Sequence, residues 1–175
     1  MSPQNKGDYD DRGKVYWRLK EYAQAIADFD KAIQFNPQNA KAFNDRGIVY
    51  LDQGQFDLAL SDYTKAIQLD PQLEQAYNNI GVGYTRQGKY ELAITYITKA
   101  IQLNSQDAID YNDRGFAYYE QSEFAQAIAD FNEAIQLNQQ YALAYNNRGL
   151  AYQALGQQAQ ADADFQKYKG LSGTP

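Results

Sequence analysis

The side chains that could carry out chemistry in this sequence are carboxylates, serines, lysines, arginines and tyrosines. Its 175 residues hold no cysteine and no histidine, which excludes disulfides, thiolate nucleophiles, imidazole bases and the usual zinc ligands. The carboxylates of Asp10 and Asp11 are adjacent, but adjacent residues on a helix point about 100° apart, a poor arrangement for acid–base catalysis. Asp8, Asp10 and Asp11 also lack the continuation of a calcium loop, and no glycines cluster into a phosphate loop. We therefore predict a non-catalytic protein with no cofactor and no metal.

The overall composition argues against further classes of function. The formal net charge is −6 and the pI is near 4.6, whereas a nucleic-acid binder needs a basic face. The sequence begins without a leader-like segment and has no apolar run as long as a membrane span. We therefore expect a soluble, cytoplasmic protein that binds no nucleic acid and does not insert into membranes.

A period of 34 residues organises the chain. Glycine recurs at that step five times, and a tyrosine follows each of these glycines three residues later. The repeated glycines are Gly13, Gly47, Gly81, Gly115 and Gly149. Apolar residues at steps of three and four divide each unit into two amphipathic helices, with a turn glycine such as Gly54 between them and a proline such as Pro71 at the end. A hairpin of two short helices cannot bury its apolar face alone, so neighbouring hairpins must stack.

The repeat resembles the tetratricopeptide repeat. The second unit carries the family's aromatic, small and proline residues at the expected places, namely Phe43, Gly47, Tyr50, Ala59, Tyr63, Ala66 and Pro71. The resemblance extends from residue 6 to about residue 171, and the glutamine- and asparagine-rich style is similar to that of bacterial members, cyanobacterial ones included. The departures are Ser105 and Gln139 in place of the proline, Ile97 in place of an aromatic, and Lys20 and Ser122 in place of the turn glycine.

The period and the resemblance together predict an all-α fold, a right-handed α-solenoid of five stacked helix-turn-helix hairpins. The predicted single domain spans residues 6–171, between a disordered tail at 1–5 and a second tail at 172–175. Its repeats cover about 6–39, 40–73, 74–107, 108–141 and 142–171. The last repeat has Gln158, Asp162 and Lys169 where earlier repeats have apolar residues, which predicts a polar C-terminal cap.

Four of the five repeats have an arginine before the repeat glycine and an aspartate sixteen residues later. The pairs are Arg12 with Asp28, Arg46 with Asp62, Arg114 with Asp130 and Arg148 with Asp164. The third repeat changes both positions at once, to Ile80 and Tyr96. This joint change predicts an ion pair within each hairpin instead of between hairpins, and a structural role for the arginines.

In the family that the chain resembles, one face of each first helix lines a concave groove that holds an extended peptide or a partner's helix. By that resemblance the peptide-binding residues are Lys41, Asn44, Asp45, Ile48, Asn78, Asn79, Val82, Arg86, Asn112, Asp113, Phe116, Tyr119, Asn146, Asn147 and Leu150. An asparagine amide can donate to and accept from one peptide unit, so the repeated asparagine pairs suit this role, and apolar members such as Phe116 suit the peptide's side chains. The alternative is that the amides only solvate the groove and bond within the hairpin.

The resemblance also bears on the partner. The set of lysines, asparagines and an arginine with which some family members hold acidic chaperone tails is absent from the matching positions, and carboxylates such as Asp45 and Asp113 line the groove. We therefore expect a neutral or basic protein partner and a monomer or weak dimer. The alternative function is a structural self-association unit without a peptide-receptor role, which dimerises through the first repeat, where Val15 and Leu19 have no preceding partner helix.

Overall fold

The structure is a computed structural model that describes residues 6–173, with the side chains of residues 9–173. The tails predicted at 1–5 and at 174–175 lie outside the described residues. Within 6–173 the chain forms ten α-helices and no strand, so the predicted all-α class is confirmed. They are α1 (Lys6–Arg18), α2 (Tyr22–Phe35), α3 (Ala40–Asp52), α4 (Phe56–Leu69), α5 (Glu74–Arg86), α6 (Tyr90–Leu103), α7 (Ala108–Glu120), α8 (Phe124–Leu137), α9 (Ala142–Ala154) and α10 (Gln158–Ser172). None of these helices has both the length and the apolar character needed to cross a bilayer.

The helices belong to two compact units, of which unit 1 ends at Gly83 and unit 2 begins at Tyr84. Unit 1 holds α1 to α4 and most of α5, and unit 2 holds the last residues of α5 and α6 to α10. In unit 1, α1 packs on α2 and α3 packs on α4, while in unit 2 the same hairpin contacts join α7 to α8 and α9 to α10. Contacts of α2 with α3, and of α8 with α9, stack each hairpin on the next.

Equivalent residues form equivalent core clusters in the two units. In unit 1 the buried members of one cluster are Ala25, Phe29 and Val49, with Tyr16, Trp17, Tyr22 and Ile26 packed around them. In unit 2 the residues three repeats later form the same cluster, Ala127, Phe131 and Ala151. The repeat period therefore fixes which side chains meet in the core, as expected for stacked repeats.

The repeat glycine lies where the two helices of a hairpin approach each other. A Cβ atom at Gly47 would lie 2.6 Å from Cε1 of Tyr63, whose side chain is completely buried. At Gly115 in unit 2, the ring of Phe131 occupies the equivalent space, 2.8 Å from the same imaginary atom. The aromatic residue of the second helix thus fills the gap that the glycine leaves.

The turn inside each hairpin uses a left-handed backbone conformation. Gly54, Gly88 and Gly156 adopt it with φ of 73°, 71° and 73°. Lys20 and Ser122, at the same place in the first and fourth repeats, adopt φ of 60° and 63°. The two departures from the glycine pattern therefore keep the turn, but with residues that have a Cβ atom and pay for it in backbone strain.

The last helix exposes the polar residues that the sequence analysis singled out. Gln158, Asp162 and Lys169 are exposed, and Gln158 Nε2 donates a hydrogen bond to Asp162 Oδ1 at 2.7 Å. On its inner face Ala161 and Asp164 are buried. That this polar face acts as a cap stays a prediction.

Candidate functional site

The predicted peptide-binding residues all lie on the first helices of the hairpins, α3, α5, α7 and α9, and differ in exposure. The buried ones are Asn44, Asn78, Asn112 and Asn147. The half-buried ones are Asp45, Ile48, Asn79, Val82, Asp113, Tyr119, Asn146 and Leu150. The exposed ones are Lys41, Arg86 and Phe116. Only the last two groups have surface available to a partner.

The asparagines of unit 1 bond to one another. Asn79 Nδ2 on α5 donates to Asn44 Oδ1 on α3 at 2.9 Å, and Asn44 Nδ2 donates to Asp45 Oδ1 at 3.3 Å. The amide of Asn44 is therefore engaged on both its oxygen and its nitrogen. Because α3 and α5 are the first helices of successive hairpins, this contact joins two hairpins rather than two helices of one.

Unit 2 contains the same arrangement. Asn147 Nδ2 on α9 donates to Asn112 Oδ1 on α7 at 3.0 Å, and Asn112 Nδ2 donates to Asp113 Oδ1 at 3.3 Å. Asn112 is only 2% exposed and Asn147 only 7% exposed. These two asparagines therefore join successive hairpins, and the alternative of amides that only solvate the groove and bond within the hairpin does not describe them.

Charged side chains of α1 and α3 in unit 1 are paired within the chain. Lys14 Nζ lies 3.3 Å from Asp45 Oδ2, and the indole Nε1 of Trp17 donates to Asp52 Oδ2 at 2.8 Å. A small cavity of about 100 Å³ lies between α1 and α3. It is lined by Lys14, Trp17, Arg18, Phe29, Asp45 and Ile48.

The sequence analysis missed Trp17, which lines this cavity. It is the only tryptophan of the chain. Its place in the repeat is taken in the later units by Leu51, Thr85, Tyr119 and Gln153. A comparison of the repeats at this position would have marked it, because Tyr119 in the fourth repeat was already assigned to the groove.

Unit 2 presents an apolar surface on the same side of its first helices, which we call the unit 2 surface. It consists of Ile109, Phe116, Tyr119, Leu143 and Leu150, with Asp113 and Glu120 beside them. Ile109 is 52% exposed, Leu143 47% and Phe116 37%. The rings of Phe116 and Tyr119 stack with centroids 6.3 Å apart. Apolar side chains with flanking carboxylates suit recognition of an amphipathic partner.

A tyrosine next to this surface stays neutral over the physiological pH range. Burial, together with the smaller effects of the nearby carboxylates of Asp113 and Asp107, raises the pKa of Tyr141 to about 12. The phenol of Tyr141 therefore remains a hydrogen-bond donor near the acidic edge of the unit 2 surface.

The predicted ion pairs within the hairpins are confirmed. In all four pairs the arginine Nε and Nη2 atoms meet the two carboxylate oxygens of its aspartate at 2.6–2.8 Å. These pairs are Arg12–Asp28, Arg46–Asp62, Arg114–Asp130 and Arg148–Asp164. The hydrogen bonds that each arginine donates to its aspartate raise the pKa of that arginine above the ordinary value.

The third nitrogen of three arginines reaches the preceding hairpin. Its acceptors are Asp30 Oδ1 at 2.5 Å from Arg46, Thr98 Oγ1 at 3.2 Å from Arg114, and Asn132 Oδ1 at 2.6 Å from Arg148. The guanidinium of Arg46 also lies 5.6 Å and 5.8 Å from the ring centroids of Phe43 and Tyr50. These three arginines therefore contact both their own hairpin and the preceding one, which supports a structural role.

Family models match nearly the whole chain. A model described as "Tetratricopeptide repeat" matches residues 40–73 and 74–107, and a second one with this description matches residues 142–174. A model described as "TPR repeat" matches residues 13–54 and 117–156. A sequence comparison with curated proteins found no match.

Solved structures with a similar fold include MamA, PilW and YrrB. MamA is 26% identical with a TM-score of 0.74, covering 96% of this chain and 92% of MamA. PilW, described as a type IV pilus biogenesis factor, is 22% identical with a TM-score of 0.89, covering 99% of this chain and 80% of PilW. YrrB, described as a TPR protein with an unusual peptide-binding site, is 20% identical with a TM-score of 0.68, covering 95% of this chain and 86% of YrrB.

Proposed function

Since this chain belongs to the tetratricopeptide repeat family, whose fold is a scaffold for protein–protein contacts, we propose that its first helices bind a segment of a partner protein. The segment is an extended peptide or a helix, and the chain has no catalytic role. The domain of residues 6–171 with its five repeats, and its cytoplasmic placement, are part of this proposal.

The observation that carries the proposal is the unit 2 surface. Ile109, Phe116 and Leu143 keep between 37% and 52% of their surface exposed although the core beside them is closely packed. Large apolar side chains grouped on one face are the usual sign of a surface that another protein covers. The buried asparagines contribute indirectly, because they fix the distance between the helices that carry these side chains.

The charges of the unit 2 surface favour a neutral or basic segment. Asp113 and Glu120 flank the apolar residues, and no lysine or arginine of α7 or α9 other than the paired Arg114 and Arg148 offsets them. A segment with apolar anchors and lysine or arginine next to them meets both features, whereas an acidic tail is repelled.

The experiment selects partners without assuming their identity. A display library of random twelve-residue peptides is passed over the immobilised chain, and the dissociation constants of the enriched peptides are measured by calorimetry. We expect enrichment of peptides that combine leucine, isoleucine or aromatic residues with lysine or arginine. The double variant Phe116→Asp and Leu150→Asp should weaken their binding by at least about tenfold, since two apolar contacts are lost and each new carboxylate would have to be desolvated against the apolar side chains of the peptide.

The matched control is Leu92→Asp, which changes an exposed leucine of the second helix α6 that is not part of the unit 2 surface. Its binding constants should equal those of the wild-type chain. A selection without enrichment, or an equal loss of binding in Leu92→Asp, would show that this surface is not the binding site.

A second candidate function is self-association through the first repeat with no peptide-receptor role. It is favoured by Val15 on α1 and by Leu19 directly after this helix, which are 50% and 61% exposed. This candidate predicts that the display selection fails while the chain still forms a dimer, so the two functions give different results in the same pair of experiments.

A further inference from the structure

The outer face of α1 combines an apolar centre with charges of opposite sign. Val15 on this face is 50% exposed, and Leu19, which directly follows α1, is 61% exposed. Asp11 and Arg18 are exposed too, four residues before and three residues after Val15. At about 100° per residue, Asp11, Val15 and Arg18 fall within about 60° of one another around the helix axis. They therefore form one stripe, which we call the α1 stripe.

In the next hairpin, the residue equivalent to Val15 packs against the preceding hairpin. Val49, which follows Val15 by 34 residues, is completely buried, and Tyr22 and Ile26 of the preceding hairpin pack around its cluster. Val15 therefore has a side chain suited to a helix–helix contact, but the described residues leave it half exposed.

We propose that the α1 stripe is a docking surface for a second copy of this chain, with the two α1 helices antiparallel across a twofold axis at Val15. The axis brings Asp11 of each copy beside Arg18 of the other, because these residues lie about 6 Å and 4.5 Å along the helix from Val15 in opposite directions. Two equivalent ion pairs then flank a contact between the two Val15 side chains, and Leu19 extends the apolar area. A parallel arrangement would place Asp11 against Asp11.

The polar outer face of α10 favours the antiparallel α1–α1 contact over a head-to-tail contact between α1 of one copy and α10 of another. The exposed positions of α10 that correspond to the packing face of earlier repeats hold Gln158, Asp162 and Lys169, which offer no apolar surface for Val15. A self-complementary surface is fully used once two copies have bound, so it gives a closed dimer. Head-to-tail contacts leave a free surface at each end and can continue into filaments. The α1 stripe is also separate from the unit 2 surface, so this proposal does not depend on peptide binding; it rests on the self-association given above as the second candidate function and specifies its contact.

A single helix of 13 residues buries less than a standard interface, so the dimer is weak. We expect a dissociation constant on the order of 100 µM. Sedimentation velocity of the full chain from about 10 µM to about 500 µM spans that value. The wild-type chain should shift reversibly from monomer to dimer over this range, and the shift should weaken with added salt because the ion pairs are exposed.

Charge reversal gives the decisive measurement. Asp11→Arg places arginine against Arg18 twice, and Arg18→Asp places aspartate against Asp11 twice, so each variant alone should associate at least about tenfold more weakly than the wild type. An equal mixture of the two variants restores both ion pairs and should recover the dimer. Recovery in the mixture also shows that both variants are folded.

Val15→Asp should abolish the dimer. The matched control is Leu155→Asp, since Leu155 follows Leu19 by four repeats, is 45% exposed, and lies outside the α1 stripe. It should dimerise like the wild type. A wild-type chain that stays monomeric at every concentration, a mixture that fails to recover the dimer, or a dimer lost in Leu155→Asp would each overturn the proposal.

Discussion

Arg46 holds the carboxylate of Asp62 in two parallel hydrogen bonds, 2.8 Å from Nε to Oδ2 and 2.7 Å from Nη2 to Oδ1. The bonds join α3 to α4 across one hairpin, and only 19% of the arginine side chain and 8% of the aspartate side chain are exposed. A largely buried guanidinium is stabilised by its carboxylate partner. If the carboxylate alone is removed, the guanidinium is left poorly solvated. The pair therefore tolerates joint replacement better than single replacement.

We expect Asp62→Ala to lower the free energy of unfolding by about 1–3 kcal/mol, because Arg46 then keeps only the more exposed carboxylate of Asp30 as an ionic partner. The double variant Arg46→Ile with Asp62→Tyr, which installs the residues of the third repeat, should cost less than the single one. Urea unfolding followed by circular dichroism measures both.

Asp28→Ala is the control for the effect of burial. Its partner Arg12 is 38% exposed, twice the value for Arg46, so water solvates the unpaired guanidinium and the loss should be smaller than for Asp62→Ala. The interpretation is wrong if the double replacement at Arg46 and Asp62 destabilises the chain as much as Asp62→Ala does.

Asn112→Ala should destabilise the chain by about 1–3 kcal/mol, because Asn147 Nδ2 loses its buried acceptor. Asn146→Ala, at a half-buried position of the next repeat, is the comparison and should cost less. Thermal unfolding measures the difference. Equal losses would mean that the Asn112–Asn147 hydrogen bond contributes nothing specific.

The hairpins and the ion pairs could be predicted from the sequence because both are visible in a comparison of the repeats. The joint change to Ile80 and Tyr96 in one repeat indicated that those two positions share a contact in the others. The asparagines left no such trace. Whether an amide faces solvent or the next hairpin depends on how adjacent hairpins cross, and neighbours such as Asn44 and Asp45 differ by about 100° around the helix. Periodicity fixes the face of a helix only to within one residue, which is why the groove prediction mixed buried and exposed residues.

Gly47→Ala should lower stability by about 1–3 kcal/mol, because the added methyl group meets the buried ring of Tyr63. Gly170→Ala is the matched control within α10, where nothing lies within 4 Å of the new Cβ atom. It should raise stability by about 0.5–1 kcal/mol through helix propensity. Opposite signs in chemical unfolding support the close approach, and equal signs contradict it.

Lys20→Gly should stabilise the chain by about 1 kcal/mol, since Lys20 adopts φ of 60° where other repeats have glycine. The reverse change, Gly54→Lys, should destabilise by a similar amount. Differential scanning calorimetry of the two variants tests the pair, and a lower melting temperature for Lys20→Gly would refute the strain.

Asp10 occupies the repeat position that holds asparagine in Asn44, Asn78, Asn112 and Asn146. Its Oδ2 accepts from Asn39 Nδ2 at 2.9 Å, and its buried Oδ1 has no hydrogen-bond partner among the described residues. Burial raises the pKa of Asp10 above its ordinary value of 3.8, against the opposing effects of Asn39 and Lys14. The folded chain therefore binds this proton more tightly than the unfolded chain does.

The stability cost of ionised Asp10 is present at neutral pH and disappears as the pH falls through the raised pKa towards the unfolded value of 3.8. Asp10→Asn should therefore stabilise at pH 7, by less than about 1 kcal/mol because the group is only half buried. The gain should vanish near pH 3. Urea unfolding at several pH values measures it, with Asp57→Asn on the exposed part of α4 as a control that should show no gain. A gain that is constant with pH would exclude ionisation of Asp10 as its cause.

Each of the four paired arginines binds a carboxylate of its own hairpin. Such a hairpin therefore keeps its ion pair when the gene segment that encodes it is duplicated. The bond to the preceding hairpin needs only an oxygen acceptor, and a carboxylate, a hydroxyl and an amide serve at Asp30, Thr98 and Asn132. A duplication that inserts one more 34-residue segment therefore strands no charge at either junction. Such a chain can lengthen in evolution by whole repeats, because a new repeat needs no compensating substitution in its neighbours to keep its charges paired.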